Sequence, residues 1–558
     1  MEKKMEKSGM RRESAAMGRM EAADVRESGY ARNGLSRRAF LGGATLAGVG
    51  AFAAGLAGCA PSSNSSKGGD SSNADGGKAV EHNPASTEDF DIVVVGSGTA
   101  GTCAALRAAE LGARVLCLEK RNALCGTSAF AEGLCGIGSE YQAGQGVEID
   151  KLAVVKDTME YHHYACLGPV VRTFVDTCGE VVDWVAGEGV EYAAVEALGE
   201  SYRVWHLPAG DDGAPTAMKH VLDILQAKAT ELGVEFRMEA PMTGLVVENG
   251  VVSGVYAKQG DGEVQVNAKA VVLATGGYAS NADLFEKFTG RPYDGVRVWG
   301  MEGRDGDGIA FATAEAGADT HIPSAVMYHT GALEGTDAFS DVPNFVLTMQ
   351  PTMRVNETGE RYFNEGVTTN FSATGNVLTT QAENYVIFDD AYIDHIEQAG
   401  PFCPMPNLGA FVGQPYECRD GVVSCPGVVS GDTVAEVAEA LGLDAAALEA
   451  TVERYNGFCE KGVDEDYGKP AEMLLPVSTP PFYGSKITPT LFTTVGGLRV
   501  NERMQVMGVD GVPVEGLFAA GGDAAGLYGA NYDVDVCSGS QQGWAATSGY
   551  IAAEVAFA

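Results

Sequence analysis

Short apolar runs that end in glycine recur along the chain after residue 89. The run Ile92–Val95 is continuous and leads into closely spaced glycines, as expected of a strand buried on both faces of a parallel sheet. A helix-like pattern covers residues 100–111, and a second apolar run covers residues 114–118. Similar runs close on glycines at residues 270–277 and 516–526. This alternation of strand, glycine turn and helix predicts an α/β fold with a parallel sheet.

The N-terminal segment has a different pattern. Residues 36–41 read SRRAFL, and a small-residue apolar run that is too short for a confident membrane span follows over residues 42–57. A twin arginine before such a run is typical of an export signal for folded proteins. The run ends in LAGCA, which resembles a bacterial lipobox and predicts Cys59 as a lipidated first residue; the alternative is a plain cleaved signal with an incidental cysteine. Residues 61–79 are polar and of low complexity, which predicts a flexible tether.

The composition is that of a soluble globular protein, with 558 residues, 45% hydrophobic and 20% charged. A net charge of −37 opposes binding to nucleic acid and anionic lipid, so membrane contact is expected only through the lipid anchor. None of the 12 cysteines forms a CxxC pair, which argues against a zinc ribbon, a haem attachment site or any other metal centre. Cys103 and Cys117 are predicted to be buried small hydrophobic residues.

Gly96, Gly98 and Gly101 form a G-x-G-x-x-G motif between the first strand and the first helix. The first glycine makes the turn, the second admits a pyrophosphate, and the third lets the helix pack on the strand. Glu119 follows the second strand, where a carboxylate accepts hydrogen bonds from ribose hydroxyls. Strand, glycines, helix, strand and acid occur in order, which predicts a dinucleotide site.

Two later segments distinguish FAD from NAD. Residues 270–277 read AVVLATGG, and residues 516–526 read GLFAAGGDAAG with Asp523 among the glycines. Flavoproteins of the two-dinucleotide-binding type carry this pair of segments, so FAD is the predicted cofactor.

Further segments occur in a fixed order along the chain: LCGTSAFAEG (124–133), GDGIAFATAEAGA (306–318), RVNETGERYFNE (354–365), TVERYN (451–456), TTVGGLRVN (493–501) and GLFAAGGDAAGLYGAN (516–531). In these segments the chain resembles the fumarate reductase/succinate dehydrogenase flavoprotein family (FAD-binding domain type 2), which includes urocanate reductases and 3-ketosteroid dehydrogenases. The resemblance implies a Rossmann-like FAD-binding domain interrupted by a mobile α+β capping domain, with the active site between them. The implied boundaries are 1–59 for the signal, 60–88 for the linker, 89–324 and 484–558 for the FAD-binding domain, and 325–483 for the cap.

The glycine motifs and the resemblance together imply a set of FAD-contacting residues. They are Gly96, Ser97, Gly98, Ala100, Gly101, Glu119, Lys120, Gly126, Thr127, Ser128, Thr275, Gly276, Gly277, Asp307, Gly522, Asp523, Ser540 and Gln541. Membrane-bound relatives link FAD to a histidine near residues 125–128, and no histidine stands there, so noncovalent FAD is expected. The helix after Ser538 is expected to direct its N-terminus at the flavin.

The residues that bind fumarate in the family are mostly missing. His329 matches the cap histidine, but the acid and arginine of the relay are lost around residues 345–348. Asn370 stands where the catalytic arginine is expected, Thr493 or Phe492 replaces a substrate histidine, and Tyr532 replaces the last arginine. Burying a carboxylate without these charged partners costs on the order of several kcal/mol, so a neutral, larger and more apolar substrate is expected in place of fumarate or urocanate.

The candidate catalytic residues are Tyr532, His329, Tyr528 and Tyr328. Tyrosine can donate a hydrogen bond to a carbonyl or protonate a carbon, and Tyr532 leads because of its place in the family pattern; packing is the alternative for each tyrosine. Asp533 and Asp535 are predicted to cap a helix, as loop aspartates usually do; the alternative is that they are catalytic carboxylates. His162 and His163 lie in a helix-like segment on different faces, which argues against a metal pair.

These features favour an exported FAD-dependent oxidoreductase that reduces an activated C=C bond of a neutral, carbonyl-bearing substrate. Its electrons are expected from a separate cytochrome or quinol-linked donor, because the chain has no haem module. Two alternatives stay open: a ketosteroid-type dehydrogenase that runs the reverse desaturation, and a flavin electron carrier without catalytic activity.

Overall fold

The computed structural model describes residues 82–199 and 201–558. The predicted export signal, Cys59 and the polar tether lie outside the described residues. Within the described ranges, no helix has the length and apolar character needed to cross a membrane.

Helices are distributed over the whole described chain. They are α1 (Thr99–Glu110), α2 (Glu140–Gly144), α3 (Lys151–Tyr161), α4 (Gly168–Gly187), α5 (Met218–Glu231), α6 (Ala282–Thr289), α7 (Asp307–Glu315), α8 (Val342–Thr348), α9 (Phe371–Leu378), α10 (Asp390–Ala399), α11 (Arg419–Val423), α12 (Val434–Leu441), α13 (Ala445–Lys461) and α14 (Ser540–Phe557).

The strands are mostly short. They are β1 (Ser86–Asp89), β2 (Ile92–Val95), β3 (Val115–Leu118), β4 (Leu134–Cys135), β5 (Tyr192–Glu196), β6 (Trp205–Pro208), β7 (Glu235–Arg237), β8 (Met242–Glu248), β9 (Val251–Gln259), β10 (Gly262–Asn267), β11 (Ala270–Leu273), β12 (Arg297–Val298), β13 (Thr320–His321), β14 (Val326–Leu333), β15 (Met353–Asn356), β16 (Asn384–Asp389), β17 (Val428–Gly431), β18 (Phe482–Thr494), β19 (Gly497–Arg499), β20 (Gln505–Met507), β21 (Pro513–Ala519) and β22 (Ala524–Ala525).

A six-stranded sheet in the order β20-β21-β11-β2-β3-β7 forms the nucleotide-binding half of the fold. Its central strands β21, β11, β2 and β3 run parallel, with Ile92 opposite Ala270 on one side and Val115 on the other. Every residue of β2, β3 and β11 is buried, because helices and a second sheet leave neither face in water. The predicted α/β class and the parallel strands are confirmed.

A second six-stranded sheet is organised around the long strand β18. Strands β14, β16 and β17 pair antiparallel with β18, while β12 runs parallel to it. Two smaller apolar clusters lie around this sheet, apart from the main core of the nucleotide-binding half. The predicted boundary at residue 483 falls inside β18, so this strand joins the predicted cap segment to the returning chain.

The C-terminal helix α14 lies close to the glycine turn that follows β2. A Cβ on Gly549 would lie 2.2 Å from the Ala100 carbonyl oxygen, and one on Gly543 would lie 2.5 Å from the Cys135 carbonyl oxygen. Only glycine allows backbones to approach this closely. The approach of α14 to α1 places the N-terminal residues of the two helices along one cleft.

Candidate active site

The turn after β2 has the backbone that its glycines require. Gly96 has a φ of +106°, and a Cβ there would lie 2.2 Å from the Ala274 carbonyl oxygen. A Cβ on Gly101 would lie 1.8 Å from the Gly96 carbonyl oxygen, so α1 could not pack on the turn with any larger residue. Helix α1 begins after Gly98 without a side-chain cap, which leaves amide groups at its N-terminus for an anion.

Glu119 holds this turn from the end of β3. Its Oε2 accepts hydrogen bonds from the Ser97 hydroxyl at 2.6 Å and the Ser97 amide at 3.1 Å, and its Oε1 accepts from the Arg121 amide at 2.9 Å. An ionised carboxylate has about four lone-pair sites, so capacity for a ribose hydroxyl remains. The same side chain therefore shapes the turn and can bind a sugar.

A cleft with an empty volume of about 1110 Å³ runs between these elements. Most of the predicted FAD contacts line it: Gly96, Ser97, Gly98, Ala100, Glu119, Lys120, Gly126, Thr127, Ser128, Thr275, Gly276, Asp307, Gly522 and Gln541.

Four predicted contacts lie behind the cleft wall. Gly101 packs α1 on the turn, and Ser540 donates to Asp533. The buried Asp523 carboxylate accepts from the amides of Thr275 and Gly277, which ties the two late glycine segments together. These residues shape the cleft without forming its surface.

Several cleft residues were not predicted from the sequence, among them Thr99, Arg121, Arg304 and Gln542. Arg304 is 6% exposed, and its guanidinium donates to the carbonyl oxygens of Trp299, Met301 and Phe492. Burial lowers the pKa of Arg304 to about 10, which still leaves it charged at neutral pH. No local motif marks this arginine; only its burial beside the cleft in the folded chain reveals it.

Aromatic side chains extend from the cleft into the second sheet. Phe492 lines the cleft, and its ring stacks on His329 with centroids 5.5 Å apart. His329 also lies 4.9 Å from Phe371, which stacks on Tyr532 at 5.7 Å, and Phe339 packs against both His329 and Phe492. We call these five residues the aromatic wall. Phe492 is the member of this wall that lines the cleft, and it connects the cleft to the other four apolar, polarisable rings.

His329 is uncharged in this environment. It is 4% exposed, and burial among the aromatic rings lowers its pKa to about 3. Its Nδ1 lies 3.2 Å from the Thr330 hydroxyl, and that hydroxyl lies 3.0 Å from the Thr348 hydroxyl. Thr348 belongs to the segment 345–348, where the family's relay was predicted to be missing. A neutral imidazole can orient a polar group but cannot neutralise a carboxylate.

The structure brings the predicted replacement positions together around one region. Asn370 donates from Nδ2 to the Tyr161 hydroxyl at 3.0 Å and to Asp535 Oδ2 at 2.6 Å. The Tyr161 hydroxyl then donates to the backbone carbonyl of Tyr532 at 3.1 Å. The positions predicted to have lost their charged residues therefore adjoin one another.

The nearby arginines of the second sheet are directed elsewhere. Arg354 is buried and donates to the carbonyl oxygens of Thr330 and Thr348. Arg361 forms ion pairs with Glu365 and Asp464. Neither guanidinium is directed at a bound anion.

The expectation that Asp533 and Asp535 cap a helix is wrong. Helix α14 starts after Gly539 with no side-chain cap. Asp533 is 1% exposed and accepts from the Ser540 hydroxyl at 2.6 Å, while Asp535 accepts from Asn370. The loop turns back over α14, so both carboxylates face side chains and not free helix amides.

The histidine pair is also placed differently from the sequence prediction. Helix α3 ends at Tyr161, and His163 and Tyr164 have positive φ angles of 50° and 59°. His162 turns inward and is 3% exposed, whereas His163 is exposed. Among the described residues, no cluster of histidine, cysteine, aspartate or glutamate has the geometry of a metal site.

Comparison with known proteins identifies the family. The profile of the family described as FAD binding domain matches residues 91–534. The chain belongs to this family. It is 35% identical over 479 residues to vinyl phenol reductase of Lactiplantibacillus plantarum, across 83% of this chain and 95% of that protein.

Two solved structures share its fold over most of their length. The open conformation of a flavocytochrome c3 fumarate reductase matches with a TM-score of 0.68 at 25% identity, over 84% of this chain and 78% of the other. The 3-ketosteroid-Δ4-(5α)-dehydrogenase of Rhodococcus jostii RHA1, in complex with 4-androstene-3,17-dione, matches with a TM-score of 0.66 at 25% identity, over 86% and 98%. The protein is therefore an FAD-dependent oxidoreductase of a family that acts on C=C or CH–CH bonds, and the predicted flavoprotein family is confirmed.

The residues that line the cleft suit FAD chemically. Gln541 lines the cleft, and its side-chain Oε1 is buried with no hydrogen-bond partner in the described part of the chain. A buried carbonyl without a donor is costly, and an isoalloxazine ring carries an imide N–H that can supply one. The N-terminal residues of α14 would hold the ring, while the α1 turn would hold the pyrophosphate.

The four predicted catalytic residues do not all meet. Tyr528 and Tyr532 are neighbours, with ring centroids 5.8 Å apart, and Tyr532 reaches His329 through Phe371. Tyr328 is 1% exposed and lies under Arg291, with no ring contact to the other three within the described chain. Tyr532, Tyr528 and His329 therefore lie in one region, connected through Phe371, and Tyr328 lies apart from it.

Both tyrosines are held in the protonated form. Burial, and then the neighbouring Asp533, raise the pKa of Tyr532 and of Tyr528 above the ordinary value for tyrosine. The phenol of Tyr532 also faces the Ser540 hydroxyl and the Gln541 backbone. A protonated phenol at this place can donate a hydrogen bond or a proton to a molecule beside the flavin.

Proposed function

We propose that this protein reduces an activated C=C bond in a neutral, aromatic or carbonyl-bearing substrate. The aromatic wall carries the proposal: Phe492 lines the flavin cleft, and Phe371, Phe339, Tyr532 and an uncharged His329 pack next to it in a continuous series of rings. Such rings stack on an apolar planar substrate and give a carboxylate no charged partner.

The likeness to vinyl phenol reductase supports the same substrate class. That relative is named for a neutral aromatic alkene and matches over 95% of its length. We therefore propose alkenyl phenols, alongside enones, as the substrates to test first.

Different residues bind the substrate, orient it and protonate it. Bound FAD supplies the hydride that adds to one carbon of the alkene. The aromatic wall stacks the substrate and excludes water, and His329 orients its polar group as a neutral donor or acceptor. Tyr532 gives a proton to the other carbon, or polarises the conjugated oxygen by hydrogen bonding.

Anaerobic reoxidation of the photoreduced protein tests this function. We expect 4-vinylphenol or a cyclic enone to reoxidise the flavin and to yield the saturated product, while fumarate and urocanate leave it reduced. Rapid reoxidation by fumarate, or none by any neutral alkene, would contradict the proposal. Ferricyanide, which accepts electrons without a substrate site, controls for flavin that can be oxidised.

A desaturase acting in the reverse direction is the second candidate. The match to a steroid dehydrogenase bound to a neutral ketone, over 98% of that chain, favours it. Steady-state oxidation of a 3-ketosteroid with an artificial electron acceptor would support it, and failure of the oxidised flavin to be reduced by any ketosteroid would exclude it.

We also propose export through the twin-arginine pathway and a lipid anchor at Cys59, with a cytochrome or quinol-linked donor outside the cytoplasm. The SRRAFL and LAGCA segments support the first two, and the absence of a haem-attachment motif from the sequence supports a separate donor. Replacing Arg37 and Arg38 by lysine should retain the protein in the cytoplasm, whereas Cys59→Ala should release it from the membrane fraction. Normal export of the double lysine variant would contradict the pathway.

A further inference from the structure

A buried chain of hydroxyl and carboxyl groups leads away from the tyrosines. The Tyr528 hydroxyl donates to the Ser540 Oγ at 3.0 Å, and the Ser540 hydroxyl donates to Asp533 Oδ1 at 2.6 Å. All three residues are buried, with exposed fractions of 2%, 0% and 1%. Ser540, the middle group of this series, is the first residue of α14 and directly precedes Gln541, which lines the flavin cleft.

Ser540 connects this chain to Tyr532. The Tyr532 ring lies beside Tyr528, with centroids 5.8 Å apart, and Ser540 lowers the pKa of the Tyr532 phenol by hydrogen bonding, against the rise that burial causes. A serine hydroxyl has one proton and two lone pairs. It can therefore accept from Tyr528 and from a protonated Asp533 while it donates to Tyr532.

His162 stands on the other side of Asp533. Its Nε2 lies 3.9 Å from Asp533 Oδ2 and has no hydrogen-bond partner among the described residues. The gap is small enough to close by a slight shift of the ring. The His162 side chain is 1% exposed, and the chain reaches the surface immediately after it, at residues 163–165.

Among the residues that the structure describes, no lysine or arginine is found to act on the Asp533 carboxyl. The titratable groups that act on it or respond to it are His162 and Tyr161 at the end of α3, Cys166, Tyr528, Tyr532 and Cys537. Burial raises the pKa of Asp533 to about 7 and lowers the pKa of His162 to about 4. At neutral pH the carboxyl is near half-protonated and the imidazole is neutral.

We propose that Asp533 stores the proton that Tyr532 delivers to the substrate, with Ser540 as the link and His162 as the route of refilling. The inference rests on the proposed function and names its proton supply. In this proposal the loop around Asp533 supplies the proton, because residues 345–348 lack the acid and the arginine of the family's proton relay.

The proton step balances without a further reactant. Tyr532 breaks its O–H bond and protonates the substrate carbon that does not receive hydride. The tyrosinate takes the Ser540 proton, and Ser540 takes the proton of the Asp533 carboxylic acid, which becomes a carboxylate. The carboxylate regains a proton from solvent through His162, which accepts at one ring nitrogen and releases from the other.

A purely structural role does not account for this arrangement. An uncharged residue at position 533 could accept from Ser540 without the cost of a titrating buried carboxyl. His162 likewise buries an unsatisfied nitrogen, which costs about 1–3 kcal/mol. Both costs are expected at a functional site, where pKa values near neutrality serve proton transfer.

The test compares Asp533→Asn and Ser540→Ala with wild type in single-turnover alkene reduction over a range of pH. The wild-type rate should fall as pH rises through about 7, because the acid form of Asp533 is the donor. Both variants should be slower at pH 6, on the order of 100-fold, and should lose that inflection. Reoxidation by ferricyanide, which protonates no carbon, should stay the same in all proteins.

Asp183→Asn is the matched control. Burial also raises the pKa of Asp183, which lies on α4 and accepts from the Glu140 amide outside the cleft. This variant should keep the wild-type rate and inflection. Wild-type behaviour of both Asp533→Asn and Ser540→Ala, or loss of the inflection in Asp183→Asn, would overturn the inference.

Infrared titration of the FAD-loaded protein without substrate gives a readout that does not depend on turnover. A protonated carboxyl band should disappear as pH rises through about 7 in wild type and in Ser540→Ala, and should be missing in Asp533→Asn. No such band in wild type would overturn the inference, even with alkene turnover intact. If no alkene reoxidises the wild-type flavin, the proposed function fails first and the proton path fails with it.

Discussion

His329 and Asp533 show how burial sets the charge of single side chains at this site. His329 loses its positive charge because aromatic rings surround it, and its pKa falls to about 3. Burial raises the pKa of Asp533 to about 7, because the carboxylate is removed from water. Their residue types alone would suggest a cation and an anion, yet the folded protein presents a neutral ring and a weak acid.

The Tyr532→Phe substitution tests the proton donor at the residue scale. It removes the hydroxyl and keeps the ring that stacks on Phe371, so the rate of alkene reduction should fall by about 10²-fold or more while substrate affinity changes little. Single-turnover reoxidation separates the two effects. Tyr328→Phe, on a tyrosine that lies under Arg291, should behave as wild type; an equal loss in both variants would contradict the assignment.

Helix α14 and the segment around Glu365 position the site at the element scale. Gly549 and Gly543 let α14 approach α1 and β4, which sets Gln541 in the cleft and Ser540 behind it. The 3₁₀ turn Glu365–Thr369 precedes Asn370 and α9, and Arg361 anchors it by donating to Glu365 and Asp464. Close backbone packing therefore positions α14, whereas buried ion pairs position the 3₁₀ turn.

The Gly549→Ala variant should weaken FAD binding. The new methyl group would meet the Ala100 carbonyl oxygen at 2.2 Å, so α14 must move away from α1, at a cost of about 1–3 kcal/mol. Flavin fluorescence titration of the apoprotein measures the affinity. Gly457→Ala on α13, where a Cβ would meet nothing within 4 Å, should leave the affinity unchanged or slightly raise stability.

The Arg361→Met variant should lower the free energy of unfolding by about 3–5 kcal/mol, because it leaves two buried carboxylates without their partner. Burial opposes ionisation of Asp464, but Arg361 holds its pKa at about 2. A depressed carboxyl pKa stabilises the fold above the ordinary value and loses that effect as pH falls, so the cost of the substitution should shrink below about pH 4.

Urea denaturation at several pH values measures this cost. Arg454→Met removes an exposed arginine paired with Asp466 and should cost at most about 1 kcal/mol. Equal losses of stability in the two variants would contradict the role of the buried pairs.

At the scale of the whole molecule, the cofactor cleft lies where the first strands, the late glycine segments and α14 converge. The cleft is lined by residues from β2 through α14, so bound FAD touches most of the nucleotide-binding half. A ligand that binds only the folded state stabilises it in proportion to the logarithm of its concentration over its Kd. FAD is therefore expected to be part of the stability of the fold as well as of its chemistry.

Acid precipitation should release the flavin completely into the supernatant, because no histidine stands near residues 125–128 to hold it covalently. Added FAD should then raise the Tm of the apoprotein, and the rise should grow with FAD concentration. Flavin that remains in the pellet would show a covalent link and contradict the prediction.

The amino-acid sequence determined the features that depend on neighbours along the chain. The glycine spacing, the buried strands and Glu119 predicted the dinucleotide turn, because a tight backbone turn and a parallel strand are local requirements. The missing arginines were also visible, since they are departures from a family pattern at defined positions.

Only the tertiary structure decided which side chains meet at the site and which of them are charged. Tyr161 and Tyr532, 371 positions apart, meet in one hydrogen bond, and the His162 Nε2, just after α3, lies 3.9 Å from Asp533 Oδ2 in the late loop. Loop aspartates taken with their chain neighbours alone suggest helix caps, but the returning chain buries Asp533, half-buries Asp535 and gives both carboxylates side-chain partners. Burial and long-range contact set the charge of His329, Asp533 and Arg304, and neither quantity is contained in the residues next to them in the chain.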